Sequence, residues 1–158
     1  TRSASVSWAG DVYKRQAPLP ATDPAALDLV QQLAQAVGAH WLTCDAAAHD
    51  LAVALISHMP VLVSAALLQA ADRGGSEAGA QELVRQLASS GFADTSRIGG
   101  GNPELGTLMA VSNRAAVLQG LAQYRRQLEA LETLVQRENW TALQAELSRC
   151  QALRPEFL

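Results

Sequence analysis

Apolar residues recur along most of this chain at the spacing of helices rather than of strands. Leu27, Val30, Leu33, Ala34 and Val37 fall three and four apart, which gathers them on one helical face. Asp23-Pro24 supplies the start, an aspartate cap with proline at the first helical position, and Gly38 supplies the stop. Residues 39–44 (AHWLTC) drop the helical period and read as one short buried strand. Asp45 can cap the next helix, predicted over 46–71. Its Leu51, Val53, Leu55, Ile56, Val61, Leu62, Val63, Leu67 and Leu68 leave it apolar on most sides. A helix of that kind must be buried, here against a partner chain. Pro60 in its middle cannot donate to Ile56 and crowds that carbonyl, so a kink or break is expected.

The remaining pattern is also helical. Residues 72–79 (DRGGSEAG) read as a turn, 81–89 as a helix and 91–101 as a loop. A short helix follows over 103–113 with Asn102 as its cap. The long helix over 114–137 carries Ala115, Leu118, Leu121, Ala122, Leu128, Leu131 and Val135 on its apolar face. A last helix over 139–150 is ended by Pro155. One helix and one strand cannot form a domain, because a lone strand has nothing to pair with. Residues 17–45 therefore read as the tail of an α/β domain, and 46–158 as an all-helical domain. Residues 1–16 keep no period and hold the chain's only lysine, Lys14. They read as a foreign or disordered start, the run WAGDVYKRQ resembling translated adaptor sequence, and Trp8 and Tyr13 are set aside with them.

Composition narrows the function classes. The chain has 158 residues, 49% hydrophobic and 17% charged, with a net charge of -3. That is enough for one domain with part of another, and the balance disfavours a basic grip on nucleic acid. Cys44 and Cys150 lie too far apart to suggest a disulfide framework or a metal site. No run of 18 residues is free of polar side chains, which argues against a membrane span.

Three stretches carry candidate chemistry. In HDLAVALISHMP, residues 49–60, His49 and Asp50 open the long helix and Ser57-His58 precede Pro60. His49 and His58 lie nine residues apart, about 180° around a straight helix, so they are not a metal pair, which prefers i and i+4. A polar Ser57-His58 pair inside an apolar segment needs a bonding partner if it is buried. Either histidine could equally be a satisfied core residue. In residues 89–106, Gly99–Gly101 would suit a backbone that approaches something closely or needs positive φ. Arg97 is the only basic residue between Arg85 and Arg114. It could clamp a carboxylate through paired hydrogen bonds, or form a salt bridge with Asp94 on the same loop. Arg125, Arg126, Glu129, Glu132, Arg137 and Glu138 read as a solvated, salt-bridged helix face.

The strings HDLAVALISHMPVLVSAAL (residues 49–67) and LASSGFADTSRIGGGNPELGTLMAVSN (residues 87–113), with TDPAALDLV (residues 22–30), resemble the prephenate/arogenate dehydrogenases of tyrosine biosynthesis, most of all the cyanobacterial arogenate-using branch. The resemblance covers roughly residues 17–150. It implies a mainly α fold: the helical dimerisation domain of that family, preceded by a one-helix, one-strand remnant of a Rossmann-type α/β domain. It implies oxidative decarboxylation of a cyclohexadienyl substrate, arogenate or prephenate, with NAD or NADP and NADP favoured, in a cytoplasmic homodimer that engages neither nucleic acid nor membrane. The helix over 46–71 is then expected at the dimer's centre.

Carried over residue by residue, Arg97 matches the arginine that holds the substrate carboxylate. Ser57 and His58 match the SH of the family motif at the cleft, and His49 lies near the substrate. Asp50 and Asp94 match acidic residues of the interface network. Many prephenate-using members carry a second histidine three residues after the SH histidine; Val61 stands there in this chain, which favours arogenate. The family's proton-abstracting histidine and glycine-rich nucleotide motif have no match in these residues. The resemblance therefore implies the C-terminal part of an enzyme, inactive alone, with its cofactor held mainly by a domain outside this sequence. A stand-alone, non-catalytic homodimerisation or tyrosine-sensing module is the alternative.

Overall fold

The computed structural model describes residues 13–157, and the expectation for residues 1–12 lies outside them. The chain divides into two compact units between Val53 and Ala54. The sequence pattern puts the division after Asp45, eight residues earlier.

The first unit contains β1 (Tyr13–Gln16), α1 (Pro24–Ala36), β2 (His40–Thr43) and α2 (Ala46–Val53). β1 and β2 pair in parallel, with Tyr13 opposite His40 and Gln16 opposite Thr43. The Cys44 N–H continues the ladder to the Gln16 carbonyl at 3.0 Å. The expected lone strand is thus one half of a βαβ unit, and Tyr13–Gln16 are neither outside the fold nor without structure. Strand pairing uses backbone groups that every residue carries, so a polar four-residue strand leaves no apolar alternation to read. β2 is not the buried strand expected: Trp41 is half-buried, but His40, Leu42 and Thr43 are exposed. α1 starts as its sequence dictates. Asp23 Oδ1 accepts from the Ala25 N–H at 2.9 Å, and Pro24 occupies the first turn. Asp45 Oδ1 likewise accepts from the Ala48 N–H at 3.0 Å.

The second unit is helical throughout. A π-turn over Ala54–His58 leads into α3 (Met59–Glu77), followed by α4 (Gln81–Leu87), α5 (Ser90–Ser96), α6 (Pro103–Ser112), α7 (Arg114–Gln136) and α8 (Trp140–Leu153). Of the kink or break expected at Pro60, the structure has a π-turn just ahead of it and no break. The wider turn ahead of it absorbs the register change and places the proline in the first turn of α3, where a missing N–H leaves no bond unmade. α3 also outruns its expected end at Ala71, so most of the stretch read as a turn is helix. Gly75 is there for packing: a Cβ on it would stand 3.2 Å from both the Gln81 Cα and the Val84 Cγ2 of α4. The chain turns at Gly79, with φ +65. The loop expected over 91–101 is likewise partly α5.

Asp72 ties α3 to α4, accepting from Gln81 Nε2 at 2.9 Å and Arg85 Nη2 at 3.0 Å. The Gln81 amide and then the Arg85 guanidinium hold its carboxyl below the usual aspartate range. The link is complete above that range and is lost as pH falls through the lowered pKa. The arginines and glutamates of the long helix are exposed as expected, but among the described residues no ion pair links them. Arg126 bonds Gln123 and Glu132 accepts from Gln136, both within α7, because amides one turn away compete for the same charged groups.

Little of this surface is hidden. Among the described residues only Ala34, Ala54 and Val117 are buried hydrophobics. Ile56 is 62% exposed, Leu87 71% and Val111 69%. The helical run Ala46–Glu77 is long and apolar enough to cross a membrane by length and composition, with mean hydropathy 2.2 over its 18-residue window and 11% of that window buried. Scattered polar residues, on which the sequence argument against a span rested, do not bring that average down.

α7 hands over to α8 through Glu138, a non-glycine residue at φ 52. The Asn139 N–H returns to the Leu134 carbonyl at 2.9 Å, and Asn139 Oδ1 accepts from the Ala142 N–H at 3.2 Å. A left-handed helix end is a glycine position. Glu138→Gly is therefore expected to stabilise the protein by about 1 kcal/mol, measured by urea unfolding, since it removes the Cβ strain of that conformation.

Candidate functional site

The site is organised by one hydroxyl on α3. Ser64 is 3% exposed within an otherwise apolar helix. Its Oγ donates to the Thr95 carbonyl at 2.8 Å and accepts from the Gly99 N–H at 2.8 Å. These two bonds hold both ends of the turn that carries Arg97. Gly99 lies so near α3 that a Cβ on it would stand 2.3 Å from the Ala65 nitrogen and 2.4 Å from the Ser64 carbonyl carbon. Of the two reasons weighed for the glycine run, close backbone approach is the one that applies at Gly99. What it approaches is the protein's own helix.

Arg97 follows α5 directly and is exposed. It lines a cavity of about 270 Å³ with Val61, Ile98, Leu105, Gly106 and Met109. An adjoining cavity of about 340 Å³ shares Val61, Ile98 and Gly106 and adds Leu62, Ala65 and Ala110. α6 enters these walls because Asn102 caps it, Oδ1 accepting from the Leu105 N–H at 3.1 Å, and because Gly106 lets Val61 come close. Apolar walls with one guanidinium suit a small molecule that has a hydrophobic body and a carboxylate. The alternative partner for Arg97 is not engaged: among the described residues Arg97 forms no ion pair, and Asp94 is exposed on α5.

His58, at the end of the π-turn, is half-buried. Asn113 Nδ2 donates to its Nδ1 at 3.4 Å. In the neutral ring the proton then sits on Nε2, which becomes a donor. Ser57, its neighbour, is exposed, so the pair expected to need burial partners divides. His49 and Asp50 belong to the first unit. They do meet, His49 Nδ1 to Asp50 Oδ1 at 3.3 Å, with side chains 33% and 61% exposed.

Sequence reasoning missed Ser64 and Asn113. A lone hydroxyl inside the apolar run 61–68 was the available signal for Ser64, and the same argument was spent on Ser57. Asn113 stands where a helix cap is expected, yet its side chain makes no capping bond to α7. A third cavity of about 250 Å³, between α3 and α4 and lined by Leu68, Val84, Arg85 and Phe92, contains none of the anticipated residues.

The βαβ unit does not fit a dinucleotide. Pyrophosphate binding needs glycines at the first βα turn and free N–H groups at the helix start. Here residues 17–23 contain no glycine, Pro24 has no N–H, and the Asp23 carboxylate already takes the Ala25 N–H.

A helical unit with more apolar surface than it can hide has the character of an assembly domain. Residues 45–149 match the family "Prephenate dehydrogenase, dimerization domain", and the chain belongs to it. It is 25% identical over 118 residues to the prephenate dehydrogenase of Bacillus subtilis, covering 75% of this chain and 31% of that protein. The crystal structure of Synechocystis arogenate dehydrogenase superposes with TM-score 0.86 at 43% identity, over 91% of this chain and 51% of that one. The A. aeolicus prephenate dehydrogenase, solved with hydroxyphenyl propionate and NAD+, shares the fold with TM-score 0.73 at 21% identity, over 91% of this chain and 49% of that one. The chain thus spans about a third of its curated relative and half of these structures.

Because a Cβ at Gly99 has no space between two backbones, Gly99→Ala is expected to cost about 3 kcal/mol or more, read by circular dichroism as a fall in Tm of roughly 10 °C.

Proposed function

We propose that this chain is the dimerisation and substrate half of an arogenate dehydrogenase, with prephenate as the other candidate substrate. The observation that carries the reading is the Arg97 guanidinium, unpaired among the described residues, on an apolar cavity floored by Val61. The whole enzyme would catalyse oxidative decarboxylation of a cyclohexadienyl acid, with NAD or NADP as hydride acceptor. NADP is our preference, and the nucleotide would be held mainly outside these residues. Arg97 would bind the ring carboxylate and keep it oriented while carbon dioxide leaves and the ring becomes aromatic. His58, donating from Nε2, and the exposed Ser57 would meet polar groups of the substrate. His49 is assigned to the substrate side, and Asp50 and Asp94 to a polar network at the interface. No general base is assigned among these residues.

Val61 supports arogenate over prephenate, as does the 43% identity to an arogenate dehydrogenase. An aliphatic side chain at that place offers nothing to the keto acid end of prephenate. The dimer is proposed as two copies of this chain covering each other's apolar faces around α3. Membership of a dimerization family and the scarcity of buried side chains both support it. A cytoplasmic location is proposed with it.

Arg97→Ala in the full-length enzyme is expected to raise KM for arogenate about 10–100-fold, the loss of a charge-assisted bidentate contact, with Arg97→Lys between it and wild type. An unchanged KM removes Arg97 from the site. The 158-residue chain alone is expected to sediment as a dimer and to oxidise neither substrate with either nucleotide. Measurable turnover, or a monomer at micromolar concentration, contradicts that assignment.

A further inference from the structure

We infer that Ser64 is a positioning residue for substrate binding: through its bonds to Thr95 and Gly99 it sets where the Arg97 guanidinium stands. This rests on the reading of Arg97 as the substrate's carboxylate partner. Three observations carry it. First, Ser64 is a buried hydroxyl whose donor and acceptor are both used, and both go to the same turn. Those bonds are made at sequence separations of 31 and 35 residues, so they are tertiary and not part of α3's own ladder. A serine in a helix interior more commonly bonds back to the carbonyl four residues earlier, as Ser96 does to Phe92 at 2.6 Å.

Second, the contact points bracket Arg97, two residues before it and two after. Its other bonds are local: Thr95 Oγ1 donates to the Gly91 carbonyl at 2.8 Å, and the Gly101 N–H to the Ile98 carbonyl at 3.3 Å. Gly99–Gly101 contribute no side chains, and the Gly99 and Gly100 N–H groups otherwise reach only the Ser96 carbonyl at 3.2 and 3.3 Å. A glycine-rich turn without a clamp samples many backbone states. Third, Ser64 lies one helical turn beyond Val61 on the same face of α3, and Val61 and Arg97 line one cavity. The hydroxyl therefore fixes the backbone that carries the cation relative to the surface on which the apolar body of the substrate would rest.

The role predicts a particular kinetic split. Ser64 touches neither substrate nor reacting atoms, so its loss should weaken binding while leaving the chemical step nearly intact. Ser64→Ala and Ser64→Thr are to be compared with wild type in the full-length dehydrogenase containing this chain, measuring kcat and KM for arogenate and the hydrogen-exchange rate of the Gly99 amide. Threonine keeps a hydroxyl at the same position and alanine removes it. Ser64→Ala is expected to raise KM about tenfold with kcat changed by less than about twofold, and to speed exchange at Gly99; Ser64→Thr should recover most of both.

If Ser64→Ala leaves KM unchanged while Arg97→Ala raises it, the positioning role is overturned and the reading of Arg97 stands. If Arg97→Ala also leaves KM unchanged, both fall. Equal losses in the alanine and threonine variants, or a fall confined to kcat, likewise overturn the proposal. Should Ser64→Ala fail to fold, Ser64→Cys, which keeps the volume with a far weaker hydrogen-bonding group, replaces it with the same outcomes.

Discussion

The backbone of Gly99 lies against α3 with no room for even one added carbon. That approach turns a flexible glycine run into a fixed turn, because the helix offers a hydroxyl at the point of contact. Two hydrogen bonds of 2.8 Å tie down the segment from Thr95 to Gly99. Each bond contributes only about 1 kcal/mol net, so energy alone does not explain the arrangement. Its effect lies in specificity of position: few backbone states of the segment from Thr95 to Gly99 satisfy both contacts at once. Arg97, Ile98 and the walls supplied by α6 follow from that choice.

The same helix carries a second constraint. α3 and the turn before it are apolar on almost every side, yet the second unit buries only Ala54 and Val117 among the described hydrophobic residues. One layer of helices around a central one leaves faces open, and at about 25 cal/mol per Å² those faces represent stability that burial against another surface would supply. Membership of a dimerization family accounts for the imbalance without a membrane. The hydropathy of Ala46–Glu77 alone could not have separated these cases, since bilayer and partner chain select for the same side chains.

What could be read from sequence divides by the range of the interactions that make it. Caps at Asp23, Asp45 and Asn102 depend on neighbours within three residues, and all three form. The helices over 103–112 and 114–136 follow from apolar spacing of the same local kind. The failures are tertiary. Gly74 and Gly75 look like a turn by propensity and are helical because α4 packs on Gly75. β1 was invisible because its pairing is carried by backbone. The expected ion pairs on α7 gave way to amide partners one turn away. Among candidate site residues, Arg97 stood out in the sequence as a single cation beside a glycine run, and it lines a cavity. Ser64 was not, because its meaning depends on a turn more than thirty residues ahead.

The two constraints on α3 bear on each other. Residues that face outward from this helix must await a partner, whereas Val61 and Ser64 face the turn and the cavity within one chain. The cationic wall can therefore be preorganised in each copy before assembly. A backbone already fixed beneath Arg97 has less freedom to lose when a carboxylate arrives, so more of the contact's strength would remain as affinity. His58 shares this property, since Asn113 fixes its ring from the same unit. On the proposed reading, each chain brings a formed anion-binding wall to the dimer, and assembly supplies the burial that the helices lack.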